Sequence, residues 1–221
     1  MELGDMAMMS IAQAIGDGPL QFCIPQWKNY VHNFDVLTGA TTQVSVPIPA
    51  KYNSVKSIFT CLRSKADGGA TLFLHASTTF RLSEYHMRLG SKVVPSKSPR
   101  NIPEFFTELL KAIGSVSDIN HECMINTENY SELIPVANVE TANSLRKTAS
   151  SASFMIGIDL ETYSNSDRSS IYAGYNTTTE DIFLQLRFDG TVGANQNVRS
   201  DSYSMYDAVL ICENGTASVR F

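Results

Sequence analysis

Apolar and polar residues alternate with a period of two along most of this chain. Residues 42–48 (TQVSVPI) and 54–62 (SVKSIFTCL) alternate and are rich in β-branched side chains, so both are expected as strands. Asp67-Gly68-Gly69 then marks a hairpin-type turn before the apolar run 70–76 (ATLFLHA). In 79–89 (TFRLSEYHMRL) the apolar members are Phe80, Leu82, Tyr85, Met87 and Leu89. Their parity slips once between Leu82 and Tyr85, the mark of a β-bulge. Strand patterns return at 153–161 (SFMIGIDLE), 180–188 (EDIFLQLRF) and 205–213 (MYDAVLICE). The last is followed by Asn214-Gly215 and by 216–221 (TASVRF), and Asn-Gly between two alternating runs is the strongest short hairpin signal. Ile156, Ile158, Leu184, Leu186 and Leu210 are the expected inward alternates of the closing strands.

One segment has the helical period instead. In 101–114 (NIPEFFTELLKAIG), Phe105, Phe106, Leu109, Leu110 and Ile113 share one face. Asn101 suits the N-cap, Pro103 and Glu104 the first turn, and Gly114 the position after the end. Many short strands, long polar connections and a single helix predict an all-β, antiparallel jelly-roll β-sandwich of about eight strands with one inserted amphipathic helix. A parallel α/β fold would need a helix after nearly every strand. Residues 1–19 are Met-rich, end in Gly16-Asp17-Gly18-Pro19, and read as a leader or linker; 20–221 read as the jelly-roll domain.

Composition narrows the function. The 221 residues include 25 Ser and 17 Thr, carry a net charge of −5, and are only 18% charged. That acidic balance opposes duplex binding, which needs surplus Lys and Arg to neutralise phosphates. Lys92, Lys97 and Arg100, the nearest approach to a basic patch, read as a solvated loop. No apolar run is long enough for a membrane-crossing helix, and the acidic start lacks the basic region of a secretory signal. Cys23, Cys61, Cys123 and Cys212 form no CxxC pair, and Cys61 and Cys212 sit in apolar runs as small core residues do. The sequons at Asn129, Asn176 and Asn214 are expected of a Ser/Thr-rich chain.

Candidate chemistry is thin. His32, His75, His86 and His121 are scattered, and His121-Glu122-Cys123 lacks the second ligand pair of a tetrahedral metal site. Asp159 and Glu161 flank Leu160 and would share a strand face, as paired carboxylates do in glycoside hydrolysis; a solvated face is the simpler reading. Asp181 and Asp189 bracket one strand and leave a calcium site open. Trp27 with Tyr163, Tyr172, Tyr175, Tyr203 and Tyr206 would suit a sugar-stacking surface or, equally, protein contacts. No residue is assigned a catalytic, cofactor-binding or metal-binding role, and no enzymatic activity is expected.

Taken in order, several stretches resemble viral major capsid proteins of the double jelly-roll lineage. KYNSVKSIFTCLRS (51–64) is similar to an early strand of that family. RLSEYHMRLGSKVVPSKSPRNIPEFFTELLKAIG (81–114) looks like its strand, Pro-containing crossover and helix. SFMIGIDLETY (153–163), AGYNTTTEDIFLQLRF (173–188) and DSYSMYDAVLICENGTASVRF (201–221) resemble its closing strands. The likeness is to the C-terminal jelly roll of the polinton/adintovirus-like and virophage-like double-stranded DNA viruses. It implies a structural protein of the virion, assembled inside the host cell. Its implied partners are itself, as a trimer or pentamer within an icosahedral shell, and other capsid proteins, with no sequence-specific nucleic acid and no membrane insertion. The loops 64–70, 115–150 and 161–180 would carry those contacts. Family members carry two barrels, so the chain is expected to be either the second barrel of a longer protein or a single jelly-roll vertex or minor capsid protein. The alternative from another class is a lectin-like, carbohydrate-binding jelly-roll module.

Overall fold

The computed structural model describes residues 20–64, 77–114, 125, 127, 130, 153–161, 173–190, 196–213 and 216–220. Among the described residues the complete elements are, in chain order, β1 (Leu20–Val36), β2 (Thr41–Ile48), β3 (Val55–Ser64), β4 (Leu82–Leu89), β5 (Lys92–Val94), α1 (Ile102–Ile113), β6 (Ile156–Asp159), β7 (Ile182–Asp189), β8 (Gln196–Glu213) and β9 (Thr216–Arg220). One sheet has the order β1-β8-β3-β6, with β9 also on β8; the other has the order β2-β7-β4-β5. All the ladders are antiparallel. The chain thus passes back and forth between two sheets, and the eight strands before β9 make the double wrap of a jelly-roll β-sandwich.

Alternation builds the core. In the second sheet, Leu186 lies opposite Val44 and Tyr85, Leu184 opposite Val46 and Met87, and Ile182 opposite Ile48 and Leu89. These three cross-strand rows face Ile58, Leu62, Ile156, Ile158 and Val198 of the first sheet, all at most 1% exposed. Each such side chain contributes about 1.5–3 kcal/mol of burial. The inner face of β8 carries buried Ser200, Ser202 and Ser204 instead. Two of these hydroxyls are bonded: Ser202 Oγ to Thr60 Oγ1 at 2.9 Å, and Ser200 Oγ donating to the His32 carbonyl at 3.2 Å.

The helix forms with the expected bounds. Asn101 Oδ1 accepts from Glu104 N at 2.9 Å, and Gly114, with φ of 84°, returns its N–H to the Lys111 carbonyl. Phe105 and Leu109 are fully buried, while Phe106, Leu110 and Ile113 are half-buried. α1 packs on β6, the last strand of its sheet, and Phe105 touches Tyr85 and Phe154 at ring-centroid distances of 5.3 and 6.1 Å. An otherwise open edge is thereby covered.

Several expectations are corrected. The 79–89 run becomes a strand only from Leu82, because Phe80 and Arg81 take left-handed φ values of 47° and 60° in a turn. The expected slip is present as a register shift between Leu82 and Glu84. The 153–161 strand is shorter, confined to Ile156–Asp159. Leu210 is half-buried, because β8 runs beyond the strands that face it. Residues 173–180, expected as free loop, are fastened to the segment before β3: Val55 and Tyr175 exchange backbone bonds of 2.9 and 2.8 Å, and Thr177 Oγ1 donates to the Ala50 carbonyl at 2.7 Å. The leader 1–19, the turn at 67–69, the run 70–76 and, apart from Ile125, Thr127 and Tyr130, the loop 115–150 lie outside the described residues.

Candidate functional site

Asp159 and Glu161, the carboxylates of the hydrolase alternative, are both engaged locally. β6 ends at Asp159, whose Oδ1 accepts from Glu161 N at 2.9 Å and closes a turn. Glu161 reaches toward Lys56 Nζ, 4.0 Å away, and Lys56 makes a closer pair with Asp207 at 3.0 Å. Burial raises the pKa of both Asp159 and Glu161; the Glu161 N–H opposes the first shift and the Lys56 ammonium the second. Lys56 is the extra residue of a bulge, since Val55 pairs with Tyr206 but Ser57 with Met205. Asp207, 1% exposed, also accepts from Ser54 Oγ at 2.8 Å and donates its N–H to the Ser54 carbonyl. This knot of Ser54, Lys56, Glu161 and Asp207 ties β3, β8 and the end of β6 together. A second knot lies along β8: Asp201, 1% exposed, is paired with both Arg63 and Arg199, which stand directly opposite each other across β3 and β8.

The other candidates are dispersed. Asp181 precedes and Asp189 ends the eight-residue strand β7, so they stand roughly 25 Å apart and cannot share a calcium ion. Asp181 is bonded to Lys51 at 2.7 Å. The aromatic set is divided by strand alternation. Trp27 is 54% exposed on the outer face of the first sheet, 5.7 Å from the Phe59 ring, and Tyr203 shares that face. Tyr206 points the other way and stacks on Tyr52 at 3.6 Å. Tyr175 bonds Glu180 through its hydroxyl and lies beneath the Lys92 ammonium. Tyr163 and Tyr172 lie outside the described residues, as do His75, His121-Glu122-Cys123, Asn129 and Asn214.

Lys92, Lys97 and Arg100 each have a local partner: the Tyr175 ring, Glu104 at 3.5 Å and Glu84 at 3.5 Å. Cys61 is buried as expected, whereas Cys212 is half-buried and Cys23 exposed, and among the described residues no disulfide joins these three to one another. Asn176 is exposed, its Oδ1 accepting from Thr178 N and Oγ1 at 3.0 and 2.7 Å. Among the described residues no three His, Cys, Asp or Glu side chains converge as a metal set. The outer face of the second sheet is polar and shallow. Gln43, Glu84, His86, Gln185 and Arg187 line a depression of 170 Å³ there, and Gln185 Nε2 donates to Ser45 Oγ at 2.8 Å.

Sequence reasoning missed β1 and both ionic knots. β1 conceals its period because apolar Trp27 and Val31 lie on the outward parity, while Gln26, Lys28 and His32 lie on the inward one. The knots join residues up to 153 apart in the chain, which local pattern does not reveal.

No family model matches the chain, and no curated protein does. Solved structures do. A chain of the PBCV-1 virus capsid superposes with a TM-score of 0.51 and 8% identity, over 96% of this chain and 54% of that one. A chain in the structure of the Sputnik virophage gives a TM-score of 0.51 and 8% identity, over 92% of this chain and 39% of that one. The mavirus major capsid protein gives 0.48 and 13% identity, over 94% and 43%. The present chain therefore spans about half, or less, of the length of the chains it matches. Its fold is the jelly-roll sandwich found in the PBCV-1 capsid.

Proposed function

We propose that this chain is a structural capsid protein, a rigid jelly-roll block that associates with copies of itself and with other capsid proteins to form the shell of a virion. The observation that carries this reading is the closed double wrap, sealed at β6 by α1, whose fold matches the PBCV-1 capsid over 96% of the chain. The ionic side chains support it: Lys56 with Asp207 and Glu161, and Arg63 with Asp201, fasten strands to one another, while Asp159 closes a turn and Arg199 braces Asp201 along β8. Shells need blocks of this kind, because weak contacts repeated by symmetry add up only between rigid units.

The chain acts as one barrel, either of a two-barrel protein or of a single-barrel vertex or minor component. It is assembled in the host cell, has no catalytic role, and with its net charge of −5 leaves genome condensation to other proteins. The lectin-like alternative is weakened by the division of its aromatic set between faces. Light scattering behind a sizing column, with negative-stain imaging of the peak, tests the reading. Trimers, pentamers or closed particles support it. A 24.3 kDa monomer whose melting temperature rises with a glycan or Ca²⁺ contradicts it.

A further inference from the structure

β1 and β8 contain 17 and 18 residues, whereas β2, β4 and β7 of the facing sheet contain 8 each. At about 3.3 Å per residue, the first sheet outruns its partner by roughly 30 Å. Beyond Tyr206, where β3 stops pairing with β8, β9 takes its place alongside Val209–Glu213. The result is a three-stranded extension made of the start of β1, the end of β8 and β9.

Its register sets Phe22, Leu210 and Val219 in one row across the three strands. On the same face lie Ile24 opposite Ala208, and Cys212 opposite Ala217. Farther along that face Ala208 and Tyr206 are 1% and 5% exposed, covered as part of the core. At the extension, Phe22 and Val219 are 46% and 45% exposed. The apolar inner face of the sandwich thus continues past the sheet that covers it. β9 keeps strict alternation: Ala217 and Val219 on this face, Thr216, Ser218 and Arg220 on the other. A strand wholly in solvent gains nothing from that pattern; one covered on a single face does.

We propose that this face is a contact between copies of this chain. The inference rests on the capsid reading and names the surface that reading requires. None of Phe22, Ile24, Leu210, Cys212, Ala217 and Val219 is an Asp, Glu, Lys or Arg, so two copies of a chain of net charge −5 meet there without like charges facing. A flat three-stranded face can pack on its own symmetry mate at about 10 Å, as one sheet packs on another. Three strands by five residues cover only about 200 Å² per copy, against about 800 Å² per partner in a stand-alone interface. The contact is therefore weak by itself and acts within a multivalent assembly.

The experiment compares the association of wild type, Phe22→Ser/Val219→Asp and Val93→Asp across a concentration series by sedimentation velocity. Val93 is 44% exposed on β5, away from the extension. The wild type and Val93→Asp are expected to associate, and the double variant to associate roughly a hundredfold more weakly. Circular dichroism and a thermal melt check its fold. If it misfolds, Val219→Thr, nearly isosteric on an exposed strand, replaces it and is expected to weaken association about tenfold. Assembly of the folded extension variant equal to wild type, or equal loss in Val93→Asp, overturns this inference and leaves the capsid reading standing. A wild type that stays monomeric throughout overturns both.

Discussion

A Cβ added to Gly157 of β6 would stand 2.8 Å from the Leu109 Cα of α1 and 3.0 Å from the Ala112 Cβ. The helix seals the sheet edge at this spot, and it comes so close only because the strand offers a bare backbone. Gly157→Ala must push a main-chain atom, not a flexible side-chain tip, and should cost about 1–3 kcal/mol. A melting temperature several degrees lower, read by calorimetry, is the expected result.

Lys56 is the cation of a nearly buried knot. Lys56→Met would leave Asp207, 1% exposed, with the Ser54 hydroxyl in place of an ammonium, and should destabilise by about 3–5 kcal/mol. Adding Asp207→Asn should restore a large part of that loss. Denaturant midpoints of the two singles and the double give the coupling.

Two sets of carboxylates should bend the pH–stability curve in opposite directions. Burial holds the folded-state pKa of Asp159 and Glu161 above their ordinary 3.8 and 4.5. The folded chain then binds more protons, so their contribution is complete below the ordinary values and is lost as pH rises through the raised ones. Glu104 goes the other way: the Arg100 N–H donated to its carboxylate lowers its pKa below 4.5, so its contribution is present above 4.5 and is lost as pH falls through the lowered value. Glu161→Gln should flatten the decline on the alkaline side of 4.5, and Glu104→Gln the decline on the acid side. Unfolding free energies measured from pH 3 to 7 check both.

Arg81 is exposed with φ of 60°, a conformation costly for any residue with a Cβ. Arg81→Gly should stabilise by about 0.5–1 kcal/mol. Phe80→Gly, at the neighbouring left-handed position, should instead destabilise by about 3 kcal/mol, because that ring is 7% exposed. The two melting temperatures should move in opposite directions.

What could be read in the sequence was what local chemistry decides. α1 was legible from the Asn101 cap, the Gly114 stop and one apolar face. The pairing of β8 with β9 was legible from Asn214-Gly215 between alternating runs, and the irregularity in β4 from a parity slip. β1 was not, because it is inward-facing against the second sheet for only part of its 17 residues. Leu210 was misplaced for the same reason: alternation tells which face a residue is on, not whether anything covers that face. Asp159 and Glu161 were grouped by strand parity, but the strand ends at Asp159, and a turn redirects Glu161 toward Lys56. What covers each face decided the first two, and the point at which the strand ends decided the third; alternation alone contains neither.

The central claim is that this sandwich is a building block, and its most direct test is the mass of the purified chain across a concentration series, with imaging of what forms. A discrete symmetric oligomer that grows into closed particles is the predicted result. A chain that stays monomeric at every concentration, with no particles in the images, would contradict it.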